Sequence, residues 1–245
     1  FAIPILLAGS EAQKQEYLPA VVEAEWKPFT AAFIEPQFDF DIYDLKTTAV
    51  LDGDTYVLNG TKVYVPYADQ ADALIVYARL EGQTQGFIVP RPVDGLSVGE
   101  RQKLMGINAL PVFTVKLDNV RIPRSNRLGG DAGHDLEAIL TSSRLASASL
   151  AVGLSRAALE YAVEYAKDRD VFGVKVAQKQ AIAFMIAEMA TEVEAIRLLT
   201  WEAAWMFDKH LPEAGKQAYL AQVGAADMAM MVTDRAVQIL GGHGY

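Results

Sequence analysis

The sequence predicts an α+β protein of several domains, and two changes of period carry that prediction. Apolar residues recur at helical spacing near the start, fall into short β-rich blocks from Thr47 to Pro123, and return to helical spacing after Gly133. With 245 residues, 51% of them hydrophobic, the chain has enough apolar material for a sizeable core. The expected division is residues 1–30 as the end of a helical domain, 31–133 as an antiparallel β-domain, and 134–245 as a helical bundle.

The first stretch, residues 1 to about 30, reads as helix through Ile5, Leu6 and Leu7, with Ser10 as N-cap, Gln13 at the capping-box position and a stop at Pro19. Five blocks then read as strands: Thr55–Leu58, Lys62–Val65, Ala73–Ala78, Gly86–Val89 and Phe113–Leu117. The turn pairs Asp52-Gly53, Asn59-Gly60 and Glu81-Gly82 punctuate them and predict a meander or barrel-type sheet. Beyond Gly133, Leu150, Leu154, Ala158, Tyr161 and Tyr165 step by three and four. So do Ile182, Met185, Ile186, Met189, Val193 and Ile196 in the next segment. A third helix is expected from Pro212 to Leu240, stopped by Gly241-Gly242.

Charge and composition exclude several function classes. A net charge of −9 without a long basic run opposes nucleic-acid binding, which needs cations to displace phosphate counterions. Cysteine is absent, and His134, His210 and His243 are far apart in sequence, so no metal site is expected. No apolar run approaches the roughly 20 residues that cross a bilayer. The opening residues lack a basic leader, so the cytoplasm or an organelle matrix is the expected location. Phe1 lies inside a helix-like run and Tyr245 follows a turn with no closing element, so both ends are expected to be cut points of a longer chain.

Several ordered segments resemble the acyl-CoA dehydrogenase family across nearly the whole chain. They are Gly9-Ser-Glu-Ala-Gln-Lys-Gln-Glu-Tyr-Leu-Pro19, Glu35-Pro36, Asn59-Gly60 with Lys62, Lys103-Leu-Met-Gly106 and Val120-Arg-Ile-Pro123. Arg169-Asp-Val-Phe172-Gly173 with Gln180, and Gln238-Ile-Leu-Gly-Gly-His-Gly-Tyr245, complete the set. The resemblance implies a fragment that lacks the N-terminal helices and the C-terminal end, with part of an N-terminal helical domain, a β-domain and part of a C-terminal four-helix bundle. It also implies FAD, an acyl-CoA substrate undergoing α,β-dehydrogenation, an electron-transfer flavoprotein as acceptor, and assembly as a homo- or hetero-oligomer, usually a dimer of dimers.

Residue roles follow from the same resemblance. Arg169 and Gln180, with Phe172 shaping their turn, fall where the family holds FAD of a neighbouring subunit; Gln238, Gly241 and Gly242 match the other half of that clamp. Arg144 matches an arginine beside the active site. Ser143 occupies the position where some members carry a catalytic glutamate, and a serine cannot be that base; the alternative base position is expected beyond Tyr245.

The departures cluster at the flavin ring. Ile34 replaces a threonine, Phe40 a serine, and Tyr64-Val65-Pro66 stands where a W-x-T strand is usual, so Pro66 has neither hydroxyl nor N–H. Each lost hydrogen bond is worth roughly 0.5–1.5 kcal/mol. Two readings follow: a dehydrogenase with a divergent pocket in which backbone amides serve, or a half-site subunit that completes the FAD site of a partner. A scaffold that keeps only the bundle would have no use for Arg169 and Gln180.

Overall fold

The computed structural model describes residues 1–23 and 27–245. They form two compact units, residues 1–139 and 140–245. The helical start is broken rather than continuous: α1 (Ala2–Ala8) ends at Gly9, and α2 runs from Glu11 to Val22. The Ser10–Gln13 capping box forms in both directions. Pro19 does not stop α2, which passes through it. The only acceptor it orphans within the helix is the carbonyl of Gln15, an exposed residue, so water can take the missing bond. Residues 24–26 of the expected helix lie outside the described residues, and Phe29 and Thr30 belong to a strand.

Seven strands make one sheet: β1 (Phe29–Ala32), β2 (Thr48–Asp52), β3 (Thr55–Pro66), β4 (Ala73–Leu80), β5 (Gln83–Pro90), β6 (Leu96–Arg101) and β7 (Val112–Pro123). Neighbours are antiparallel except that β1 runs parallel to β4 and β2 meets it at Thr48–Arg79. Strand β4 pairs β5 along its whole length and has β1 and β2 on its other edge. Leu74, Val76, Ala78 and Leu80 enter one apolar cluster with Tyr56, Leu58 and Phe87, whereas Ile75 and Tyr77 enter another with Ile5, Leu45 and Leu128. Burial on both faces is why Ala73–Ala78 reads as an unbroken apolar run instead of an alternation.

Gln13 joins α2 to the β-domain. Its Nε2 donates to the carbonyls of Ser125 (2.9 Å) and Arg127 (2.8 Å), and its Oε1 accepts from the Gly129 N–H (3.1 Å).

The second unit holds three long helices, α3 (Leu136–Asp168, which begins in the first unit), α4 (Gln180–Asp208) and α5 (Ala214–Leu240). Pro212 lies in the turn before α5 rather than inside it. Met189, Val193, Met228, Val232 and a row of alanines (Ala218, Ala221, Ala225, Ala236) form the core, the small side chains on α5 letting the helices approach closely. No helix among the described residues is long and apolar enough to cross a membrane.

Candidate functional site

The sequence-predicted clamp residues come together at one end of the second unit. Contacts between α4 and α5 run in opposite directions along the two helices: Gln217 Nε2 donates to Glu202 (3.0 Å), Gly224 faces Ile196, and Arg235 pairs with Glu188. The same antiparallel progression brings Gln180, the first residue of α4, to the level of the Gly241 turn that ends α5. From the end of α3, the Tyr165 hydroxyl meets His243 Nδ1 in that turn at 3.1 Å.

Local chemistry explains the shape of this end. Arg169 follows the last residue of α3; its N–H donates to the Tyr165 carbonyl and its carbonyl accepts from Val176, both at 2.9 Å. A two-residue hairpin, Asp170-Val171 against Val174-Lys175, turns through Phe172 and Gly173, both at positive φ. Phe172 is 93% exposed, with Lys179 Nζ 5.6 Å from its ring centre. Lys175 takes the Asp170 carboxylate (2.8 Å), so this neighbouring acid is already neutralised, and the Arg169 guanidinium has no ion pair among the described residues. Gln180 and Gln238 are exposed, and the Gln238 carbonyl accepts the Gly241 N–H. Gly241 has φ +56°, and neither it nor Gly242 has an atom within 4 Å of where a Cβ would stand.

A guanidinium, a primary amide, an aromatic face and open glycine backbone suit a diphosphate with an attached aromatic base, by charge, hydrogen bonding and close approach. Two open grooves of the same unit, of about 470 and 530 Å³, are lined instead by Glu188, Asp227 and Arg235 and by Arg156, Arg197 and Trp201. They contain none of the clamp residues.

Further along α3 in the same unit, Ser143 is exposed and Arg144 lies over the Tyr219 ring, 5.2 Å from its centre.

In the first unit, the residues expected beside a flavin ring flank a buried ion pair. Lys62 Nζ donates to Glu35 Oε1 (2.9 Å) and to the Phe33 carbonyl (3.1 Å). Glu35 also accepts the backbone N–H groups of Lys46 (2.7 Å) and Thr47 (2.8 Å). Burial raises the Glu35 carboxyl, but the bonds from Thr47, Lys62 and Lys46 outweigh it and hold the group below the usual carboxylate range. Burial lowers the Lys62 ammonium to about 8, against the opposing pull of Glu35. On one side of this pair Ile34 is exposed, its carbonyl accepting the Val63 N–H at 2.9 Å. On the other, Tyr64 stands at φ +54°, 51% exposed, in the register shift between Lys62 and Val65, and Pro66 closes β3 opposite Val112. Ile34 and Pro66 bring no side-chain donor here; Tyr64 brings a phenol. Phe40 is half-buried and packs edge-on against Phe33 beside the core, so it fills volume.

Sequence reasoning named Glu35 and Lys62 as motif residues but missed their pairing. The signal was present: Tyr56, Leu58 and Lys62 share the inward period-2 face of β3, and a lysine there needs a buried partner.

Comparisons with known proteins agree with this architecture. A model described as acyl-CoA dehydrogenase, middle domain, matches residues 30–120, and one described as acyl-CoA dehydrogenase, C-terminal domain, matches residues 134–245. The chain is 36% identical to the caffeyl-CoA reductase-Etf complex subunit CarC of Acetobacterium woodii, over 99% of this chain and 65% of that protein. It superposes on butyryl-CoA dehydrogenase from Megasphaera elsdenii with a TM-score of 0.89 at 34% identity, covering 100% of this chain and 65% of that one. A glutaryl-CoA dehydrogenase from Mycobacterium smegmatis in complex with FADH2 gives 0.88 at 27% identity, covering 99% and 63%. The chain thus spans about 60–65% of the length of the curated relatives it matches.

Proposed function

The chain belongs to the acyl-CoA dehydrogenase family, and from that premise we propose that the protein binds FAD and dehydrogenates an acyl-CoA thioester between its α and β carbons, passing electrons to an electron-transfer flavoprotein. The observation that carries this reading is the gathering of Arg169, Phe172, Gln180, Gln238, Gly241 and Gly242 at one end of the helical unit.

The roles follow from chemistry. Arg169 sets a positive charge against a diphosphate that carries two negative ones, Gln180 adds an amide, and the Gly241-Gly242 turn lets backbone approach. Bound FAD supplies the acceptor for the hydride that leaves the β carbon. A thioester α-proton needs a base of raised pKa and a hydrogen-bonded carbonyl oxygen. The Ser143 hydroxyl is no such base, so no residue of this chain is assigned the proton transfer; Arg144 is assigned only a place beside the acyl site. In the clamp we propose, these residues grip the FAD of a facing subunit, so the protein works as a homo- or hetero-oligomer.

A second reading is favoured by the absence of side-chain donors at Ile34 and Pro66 and by the apolar packing of Phe40 against Phe33: a half-site subunit that completes a partner's FAD site. A visible spectrum of the purified protein separates the two. One flavin per subunit supports the first reading; none, with flavin recovered on adding a partner subunit, supports the second. Arg169→Ala is expected to weaken FAD binding at least tenfold, the value of one charge-assisted hydrogen bond. Unchanged FAD affinity in that variant would sink the clamp.

A further inference from the structure

We propose that the buried Glu35–Lys62 pair is the positioning device for the flavin-ring side of the pocket, holding Ile34 and the Tyr64–Pro66 kink in one fixed register. This rests on the FAD reading above.

Residues 33–47 connect β1 to β2 without regular structure, so no ladder fixes their height against the sheet. One carboxylate does so instead. Glu35 gathers three stretches of chain, accepting from Lys62 on β3 and from the Lys46 and Thr47 N–H groups. Lys62 returns a bond to the Phe33 carbonyl, and the Val63 N–H reaches Ile34. Ile34, in the connection after β1, is therefore one residue from Glu35, and Tyr64, on β3, is two from Lys62. Both side chains of the pair are almost wholly buried, at 2% and 0% exposure. Any slip along β3 would strand a carboxylate and an ammonium in apolar surroundings. Buried pairs seldom add much net stability compared with apolar side chains of the same size; what they penalise is the wrong arrangement. Register, rather than stability, is the property such a joint delivers. It matters here because Ile34 and Pro66 offer a flavin ring no side-chain donor, leaving its position to the Tyr64 phenol and to main-chain groups of β3 and of the connection before β2.

The test is the double variant Glu35→Gln/Lys62→Met, which removes both charges, keeps one oxygen to accept one of the two backbone N–H groups, and leaves no lone buried ion. Its thermal midpoint, FAD affinity, visible circular dichroism and ADP affinity are compared with those of the unsubstituted protein. Expected are a melting temperature within a few degrees, FAD binding weakened about tenfold, an altered flavin dichroism band, and ADP binding unchanged, because ADP engages only the helical-unit clamp. A double variant that binds FAD with unaltered affinity and dichroism overturns the positioning role while leaving the FAD reading intact. An unsubstituted protein that binds ADP but not FAD also overturns it, in favour of the half-site reading. Binding of neither ligand overturns the FAD reading, and the positioning role falls with it. If the double variant melts far below the unsubstituted protein, the pair is structural and the proposal fails.

Discussion

Gln13 illustrates what a single residue's sequence context conveys and what it conceals. Its place three residues after Ser10 announces a capping box, which forms. Nothing local announces that the same amide, only 5% exposed, also serves two carbonyls and an N–H more than a hundred residues away. Gln13→Ala would strand those groups and is expected to cost on the order of 3 kcal/mol in denaturant unfolding; a loss no greater than that of an exposed cap would refute the docking role. His134 makes a pH-dependent contribution. Burial lowers its pKa below the ordinary 6.5, and its Nε2 accepts the Gly86 N–H at 3.0 Å, which a doubly protonated ring cannot do. The unfolded chain takes up this proton near pH 6.5 while the folded chain resists it. The contribution is therefore complete above that pH and declines as pH falls toward the lowered folded value. His134→Gln, which keeps an acceptor but cannot titrate, should flatten the fall in melting temperature between pH 7 and about 5.5. An unaltered slope would exclude His134 as its source.

Elements with a strong local period were legible; those defined by distant partners were not. The helices α3 and α4 are legible from apolar steps of three and four, α5 from the start signal at Pro212 and the Gly241-Gly242 stop, and β4 from its uninterrupted run. Strand β1 was missed because four residues beside a helical stretch carry too little pattern, and it becomes a strand only by lying parallel to β4. The continuation of α2 past Pro19 was missed because Pro is costly where a carbonyl is buried, and the exposure of Gln15 is a tertiary fact. Gly60 was read as part of a turn pair, yet β3 continues through it. The Cβ of an alanine there would stand 2.7 Å from the backbone Cα of Thr47, and the residue has φ +153°. Gly60→Ala should therefore force β3 away from the Thr47 N–H that Glu35 accepts. It is expected to destabilise the first unit by about 2 kcal/mol or more, read as a shift in urea midpoint. Replacement without such a shift would show that β3 and β2 separate at no cost.

At the scale of the whole molecule, the order helix, sheet, bundle was readable. What one chain's sequence cannot supply is which of its surfaces meet other chains, because apolar residues of the core and of an interface have the same composition. The second unit shows the consequence: Phe184, Leu198, Trp201 and Trp205 are exposed on α4, and Leu220, Val223, Met230 and Val237 on α5. Residues 198, 201 and 205 recur at helical spacing, a broad apolar stripe of the kind that marks association surfaces. Sedimentation of the protein should give an oligomer, and Leu198→Glu/Trp205→Glu a lighter species. A monomer before substitution would contradict the proposed assembly.

The enclosure of β4 has a consequence for how the first unit comes apart. A strand covered on both faces and bonded along both edges is shielded from deuterated solvent until its neighbours have left, so the Leu74–Ala78 amides should be the slowest of that unit to exchange. Chain segments that peel away first, such as β6 at the far edge of the sheet, should equilibrate through shallow openings. Strand β4 should exchange only when the entire unit unfolds, making its slowest amides a direct gauge of that unit's global stability.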